Sequence, residues 1–139
     1  MKKLLTLLFM TPFIAFAHGE DKEGPHGGHI RMPGAFHTEL MLDEKHEAHI
    51  FLLDMEFKNP TVQNSKIEVY ALNGKTKVNF QCSIMGKNHF HCVPEKKYPL
   101  KGELRVKAVR DNLPGNEVSY KLPLPKFAEE KTPSGHDHH

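Results

Sequence analysis

Histidine is the residue type of this sequence best suited to chemistry. The chain has 139 residues, of which 11 are histidine, and neutral imidazole is the commonest protein ligand for zinc, copper and nickel. There are more histidines than stability alone requires, and many of them cluster near the two ends of the chain. The sequence therefore predicts a binding site for a divalent transition metal, namely Cu, Zn, Ni or Co.

Three of the histidines, His18, His26 and His29, lie near the start of the chain among glycine residues. Two imidazoles two or three residues apart on such a flexible backbone can reach the same ion, so His26 and His29 are the first predicted ligands. If a leader is removed before His18, the new α-amino group and the imidazole of that residue could chelate Cu(II) together.

Further ligands are predicted on the first two strands. Pairing of these strands through a loop at residues 43–45 would place Glu39 opposite His49, with His37 two residues along the same face. This set depends on the register, because a shift of one residue moves a side chain to the other face of the sheet. His46 lies in the expected turn and is interpreted as a surface residue.

The remaining histidines form two groups. His89 and His91 share one face of a predicted strand, which is compatible either with a ligand pair or with a solvated surface. His136, His138 and His139 end the chain and are typical of a weak, non-specific metal collector. Since binding needs a deprotonated ring nitrogen, we expect metal affinity to fall as the pH drops through about 6.5.

The two cysteines, Cys82 and Cys92, are placed symmetrically about a predicted turn at Gly86, Lys87 and Asn88. In that register they lie directly opposite each other on adjacent strands, at nearly the spacing that a disulfide needs. A structural disulfide is the favoured interpretation, and a thiolate metal site or redox pair is the alternative.

A secretory leader is predicted at residues 1–17. Lys2 and Lys3 precede an apolar run that is too short to span a bilayer of about 30 Å, and Ala15-Phe16-Ala17 has the pattern of a cleavage site. We therefore expect export to the periplasm, with no membrane span after cleavage. That oxidising compartment would permit the disulfide.

Charge and motifs exclude several functions. Lys plus Arg number 19 and Asp plus Glu number 17, there is no tryptophan, and aromatic residues make up 9%, so nucleic-acid binding is not expected. No phosphate-binding loop or dinucleotide fingerprint is present. Since no catalytic signature can be identified either, the chain is predicted not to be an enzyme.

An all-β domain is predicted between two tails. Residues 18–35 are rich in glycine and histidine and predict a flexible arm, while residues 123–139 form a proline-rich, His-ended tail. Residues 36–122 alternate apolar and polar residues in about seven short runs separated by turn residues, including a hairpin at Asn73-Gly74. This pattern is typical of an antiparallel, immunoglobulin-like β-sandwich.

The segment from His26-Gly27-Gly28 through the strand Phe36 to Leu40 resembles the small N-terminal domain of periplasmic adaptor subunits of heavy-metal resistance-nodulation-division efflux pumps. More weakly, the later part is similar to the YtkA-like and FixH periplasmic domains. The resemblance covers roughly residues 24–122 and implies an exported sandwich that contacts heavy metal, with His26 and His29 at the motif positions. The coiled-coil hairpin and lipoyl-like domain of an adaptor are absent from this chain.

Together these features predict a periplasmic heavy-metal-binding protein, acting as a buffer, sensor or chaperone. Its partners would be the metal ion and an efflux or oxidase component of the periplasm. The alternative is a metal-independent, immunoglobulin-like interaction module for such an assembly. Titration with metals distinguishes the two.

Overall fold

The computed structural model describes residues 22–127. Within this range all regular elements are β-strands and all strand pairs are antiparallel, which confirms the predicted all-β class. The leader, His18 and the terminal histidines lie outside the described residues. The nine strands are β1 (His29–Arg31), β2 (His37–Leu42), β3 (Ala48–Leu53), β4 (Lys66–Asn73), β5 (Thr76–Met85), β6 (His89–Pro94), β7 (Gly102–Arg110), β8 (Leu113–Pro114) and β9 (Val118–Leu122).

Two of these strands lie where none was predicted. The seven predicted strands correspond to β2–β7 and β9, whereas β1 lies in the segment expected to be a flexible arm and β8 lies in an expected turn. β1 pairs with β2, and the described part of the expected arm is therefore attached to the sheet from residue 29 to residue 31. Strands of two or three residues are too short to show an alternating pattern, so the sequence gives no sign of them.

The strands form a sheet that curves back on itself. Their order is β1-β2-β3-β6-β5-β4-β7-β8, with β9 also paired to β7. The hydroxyl groups of Thr38 on β2 and Tyr120 on β9 are 2.6 Å apart and form a buried hydrogen bond. Nearby, the side chain of Arg31 donates a hydrogen bond to the carbonyl oxygen of Ser119 at 2.9 Å. These contacts join the β1–β2 end of the sheet to β9 and give a nearly barrel-shaped fold.

The concave side of the sheet contains the main hydrophobic core. Alternate residues of each strand point inward, and Leu40, Ile50, Leu104, Val106 and Tyr120 are fully buried there. Full burial of one such aliphatic side chain contributes about 1.5–3 kcal/mol. The outward face of β2 and β3 carries a smaller cluster that includes Phe51 and Leu53. Several other outward-facing residues of β2, β3 and β6 are histidine or glutamate.

The hairpin of β5 and β6 positions two of these histidines. Cys82 and Cys92 are directly paired across it and form the disulfide favoured from the sequence. The turn of this hairpin has positive φ at Gly86 and Lys87. Because Cys92 points inward, its neighbour His91 points outward.

Among the described residues, no helix is apolar and long enough to cross a bilayer.

Candidate metal centre

A row of histidines lies on the outer face of β3 and β6. His49 and His91 are directly paired across these strands, and directly paired residues point to the same side of a sheet. Their rings stack with a centroid separation of 4.6 Å. His89 lies two residues before His91 on the same face, and its ring centroid is 5.5 Å from that of His49. We call these three residues the histidine face.

Asp43 is held against this face by the loop that joins β2 to β3. Its Oδ1 atom accepts backbone hydrogen bonds from Lys45 at 2.9 Å and Glu47 at 3.0 Å, and its Oδ2 atom is 3.0 Å from Nε2 of His49. Partial burial raises the pKa of Asp43, but the hydrogen bonds from His49, Glu47 and Lys45 outweigh that effect and hold the pKa below its ordinary value. The carboxylate is therefore ionised at neutral pH.

Asp43, His49 and His91 form a possible metal-binding group. Each offers one ligand atom, and these atoms all lie within 4.8 Å of one another. The ligands of a tetrahedral zinc ion are about 3.4 Å apart, so side-chain rotations of modest size would bring the three onto one ion. Each residue is half-buried, which keeps the site open to exchange with solvent. Nearby, Oε2 of Glu47 is 3.6 Å from Nε2 of His91 and adds negative charge.

His89 extends the group toward the hairpin turn. Its Nε2 atom is 3.4 Å from Nδ1 of His49, and its Nδ1 atom is 2.8 Å from Oδ1 of Asn88. Burial lowers the pKa of His89, and the neighbouring His49, His91 and His26 lower it further. The neutral form, which is the form that binds metals, is therefore favoured at this position.

The register between β2 and β3 differs from the predicted one by two residues. His49 is paired with Met41, and Glu39 is paired with Phe51. The cause is a longer loop of residues 43–47, which Asp43 closes by accepting hydrogen bonds from two of its amides. Because the strand period is two residues, Glu39 and His49 still share a face, but they are not directly opposite each other.

His26 and Glu39 interact with each other and do not belong to this group. Nδ1 of His26 is 2.6 Å from Oε1 of Glu39, and the backbone amides of His26 and Gly28 donate to Oε2 at 2.8 Å and 3.0 Å. The ring of His26 stacks on Phe51 at 3.7 Å, and Phe51 also stacks on His89 at 4.5 Å. These contacts tie the glycine-rich segment to the outer face of β2.

The other two predicted N-terminal ligands are buried. His29 is 6% exposed and stacks on Phe127, with ring centroids 4.3 Å apart. His37 is also 6% exposed, stacks on Phe57 and has Nδ1 3.0 Å from the carbonyl oxygen of Asp54. Of the predicted ligands inside the described range, the three-residue group thus contains His49 and none of the others, which are His26, His29, His37 and Glu39.

Asp43 and Glu47 were not among the predicted site residues, and His89 and His91 were predicted to be either a ligand pair or a solvated surface. The shared strand face of His89 and His91 was the available signal. That signal did not show that His49 lies beside them, because the pairing of β3 with β6 joins segments that are distant in sequence. Asp43 was assigned only to a loop, although loops often carry binding residues.

Comparisons with protein families, with curated proteins and with solved structures find no match to this chain.

Proposed function

We propose that this protein is an exported, periplasmic transition-metal-binding protein that serves as a buffer, sensor or chaperone for Cu, Zn, Ni or Co. The ion binds on the outer face of the sheet, at Asp43, His49 and His91. The observation that carries the proposal is the close approach of these three side chains, whose ligand atoms lie within 4.8 Å of one another. The strand register pairs His49 with His91, and the loop before β3 holds Asp43 beside them.

The chemistry of the group suits such a role. Two imidazoles and one carboxylate match the ligand preferences of borderline divalent metals, and the site has no cysteine thiolate that would demand a soft ion. The main core lies on the opposite side of the sheet, so the apo-protein remains folded and can release its ion without unfolding. Capture and release from one open site are what a buffer or chaperone requires.

Metal titration of the mature protein tests the proposal. Residues 18–139 are titrated with Cu(II), Zn²⁺ and Ni²⁺ at pH 7.5 by calorimetry, and stoichiometry is read from native mass spectra. We expect one tightly bound ion, which is lost in the His49→Ala/His91→Ala double variant. His46→Ala is the matched control, because this exposed imidazole lies close in sequence but outside the group.

Two results would contradict this function. Absence of stoichiometric binding by the wild-type protein would favour the metal-independent interaction module instead. Binding that survives the double substitution but disappears when residues 136–139 are deleted would assign the affinity to the His-ended tail. Retention of wild-type circular dichroism by each variant excludes unfolding as the cause of a loss.

The same proposal includes a specific fold type for the all-β domain. We propose that the curved sheet is an immunoglobulin-like sandwich, and that the similarity to the N-terminal domains of heavy-metal efflux adaptors reflects a common task of metal contact. The inward core between β2–β3–β6 and β4–β7–β9 supports a two-layer arrangement. An experimental structure with two separate, facing sheets would establish it.

A further inference from the structure

The hydrogen bond to Asp43 determines which nitrogen of His49 is free. Oδ2 of Asp43 is 3.0 Å from Nε2 of His49, and an ionised carboxylate can only accept a hydrogen bond. Nε2 must therefore carry the proton. In a neutral imidazole the lone pair then lies on the other nitrogen, Nδ1, which points toward His89.

The same reasoning applies to His89. Its Nδ1 atom is 2.8 Å from Oδ1 of Asn88, and an amide oxygen is an acceptor, so Nδ1 carries the proton. The lone pair of His89 consequently lies on Nε2. This is the atom that faces His49.

Two nitrogen lone pairs thus face each other at 3.4 Å, the distance between Nδ1 of His49 and Nε2 of His89. When both rings are neutral, neither atom can donate to the other, so the pair becomes favourable either when one ring is protonated or when a metal cation lies between the two nitrogens. With zinc–nitrogen bonds of about 2.0–2.1 Å, tetrahedral coordination separates two nitrogens by about 3.4 Å, whereas right-angled square-planar coordination separates them by about 2.9 Å. The observed distance matches the tetrahedral value.

We infer that the first ligands of the ion are Nδ1 of His49 and Nε2 of His89, that His91 is the third ligand, and that the site takes a tetrahedral ion of the Zn²⁺ class. His89 thus takes the place that the proposed function gave to Asp43 in the ligand set, and Asp43 becomes a positioning residue that orients His49 through its far nitrogen. The inference deepens the proposed metal-binding function and depends on it.

The arrangement follows a general property of histidine ligands. A metal-bound imidazole usually donates its second N–H group to a carboxylate or carbonyl oxygen, which fixes the tautomer and the ring orientation. Asp43 provides this contact for His49, and Asn88 provides it for His89. For His91, the carboxylate of Glu47 is the nearest group of this kind, with Oε2 3.6 Å from Nε2.

The experiment compares four proteins: wild type, His89→Phe, Asp43→Asn and the control His46→Ala. His89→Phe keeps an aromatic ring to stack on Phe51 but removes both nitrogens, so a loss of binding cannot be attributed to lost packing. Zn²⁺ affinity is measured by competition with a chelator. The coordination number is read from the visible absorption of bound Co²⁺, which is intense for tetrahedral and weak for octahedral ions.

We expect wild type to bind Co²⁺ with intense tetrahedral bands. Asp43→Asn should weaken Zn²⁺ binding about 10- to 100-fold while the tetrahedral spectrum remains, as expected for a residue that orients a ligand. His89→Phe should lose more affinity than Asp43→Asn and should lose the tetrahedral bands. Nitrogen-15 NMR of the apo-protein should show the proton of His49 on Nε2 and that of His89 on Nδ1.

The outcomes separate this inference from the proposed function. Wild-type affinity in His89→Phe, together with lost binding in His49→Ala/His91→Ala, would overturn the His49–His89 pair but leave metal binding intact. Complete loss of binding in Asp43→Asn, or an octahedral cobalt spectrum in wild type, would make Asp43 a direct ligand and overturn the tetrahedral assignment. Failure of wild type to bind any of the metals would overturn the proposed function itself.

Discussion

Replacement of Glu39 by leucine should detach the glycine-rich segment from the sheet. The carboxylate of Glu39 is fully buried and accepts from the amides of His26 and Gly28 and from the ring of His26. Leucine fills a similar volume but accepts no hydrogen bond. Gly28 is itself buried, and its amide would lose the carboxylate oxygen to which it donates. The amide could then find an acceptor only by becoming exposed to water.

The cost can be worked from these three contacts. A buried donor left without an acceptor costs about 1–3 kcal/mol, and each of the two donors of His26, which are closer to solvent, contributes about 0.5–1.5 kcal/mol. The apolar burial of leucine offsets part of this sum, so we expect a net loss of about 3 kcal/mol. For a domain of this size that corresponds to a fall in Tm of about 12–24 °C. Glu39→Gln keeps an oxygen for the two amides and should lose only about 1 kcal/mol.

The assay is thermal unfolding followed by circular dichroism at pH 7.5, with hydrogen exchange to locate the change. The amides of His26 and Gly28 should lose protection in Glu39→Leu at a temperature where β4 and β7 keep theirs. Glu68→Leu is the matched control, because Glu68 is an exposed glutamate on β4 and such surface changes usually stay within about 0.5 kcal/mol. A Tm for Glu39→Leu within 3 °C, or about 0.5 kcal/mol, of wild type would refute the reasoning.

Three further predictions concern other parts of the fold. Burial raises the pKa of Tyr98 to about 12, whereas the phenol of the unfolded chain ionises near 10. The neutral Tyr98 side chain therefore makes its full contribution to stability below pH 10, and about 2–3 kcal/mol of stability is lost as the pH rises toward 12. Tyr98→Phe should remove that alkaline slope in denaturant titrations from pH 9 to 12, and an unchanged slope would contradict the assignment. Joint replacement of Cys82 and Cys92 by alanine should lower the free energy of unfolding by about 3 kcal/mol, because the disulfide closes a short loop of the unfolded chain; a urea midpoint equal to that of wild type would count against this. Gly102→Ala should cost about 3 kcal/mol, since Gly102 has a φ of 78° and a Cβ atom there would overlap a backbone carbonyl oxygen of β4. Gly74 has a φ of 59° but open space around it, so Gly74→Ala should cost only about 1 kcal/mol. Equal urea midpoints for these two variants would show that the overlap relaxes without cost.

The strand pattern could be predicted because it depends on local order. Alternation of apolar and polar residues in β2–β7 and β9 is visible in the sequence, and it determines which side chains share a face. The turn residues near Gly74 and Gly86 mark two hairpins, and the second of them brings Cys82 opposite Cys92. Hairpin pairing is local and therefore follows from the chain itself.

The site could not be predicted to the same extent, because it joins strands that are far apart in sequence. His49 and His89 are separated by 40 positions, and only the antiparallel pairing of β3 with β6 makes them neighbours. The two-residue error in the β2–β3 register has a different origin, because these two strands are consecutive in the chain. The length of their loop is set by side-chain hydrogen bonds of Asp43, which periodicity does not encode.

The sequence by itself determined the all-β class of the fold, the excess of imidazoles that could bind a metal, and the single cysteine pair. Composition and a two-residue period are properties of the chain alone. The tertiary structure decided which imidazoles meet. It buried His29 and His37, tied His26 to Glu39, and placed His49, His89 and His91 on one open face. The reason is physical: metal ligands must lie within a few ångströms of one another, and that proximity is created by non-local strand pairing.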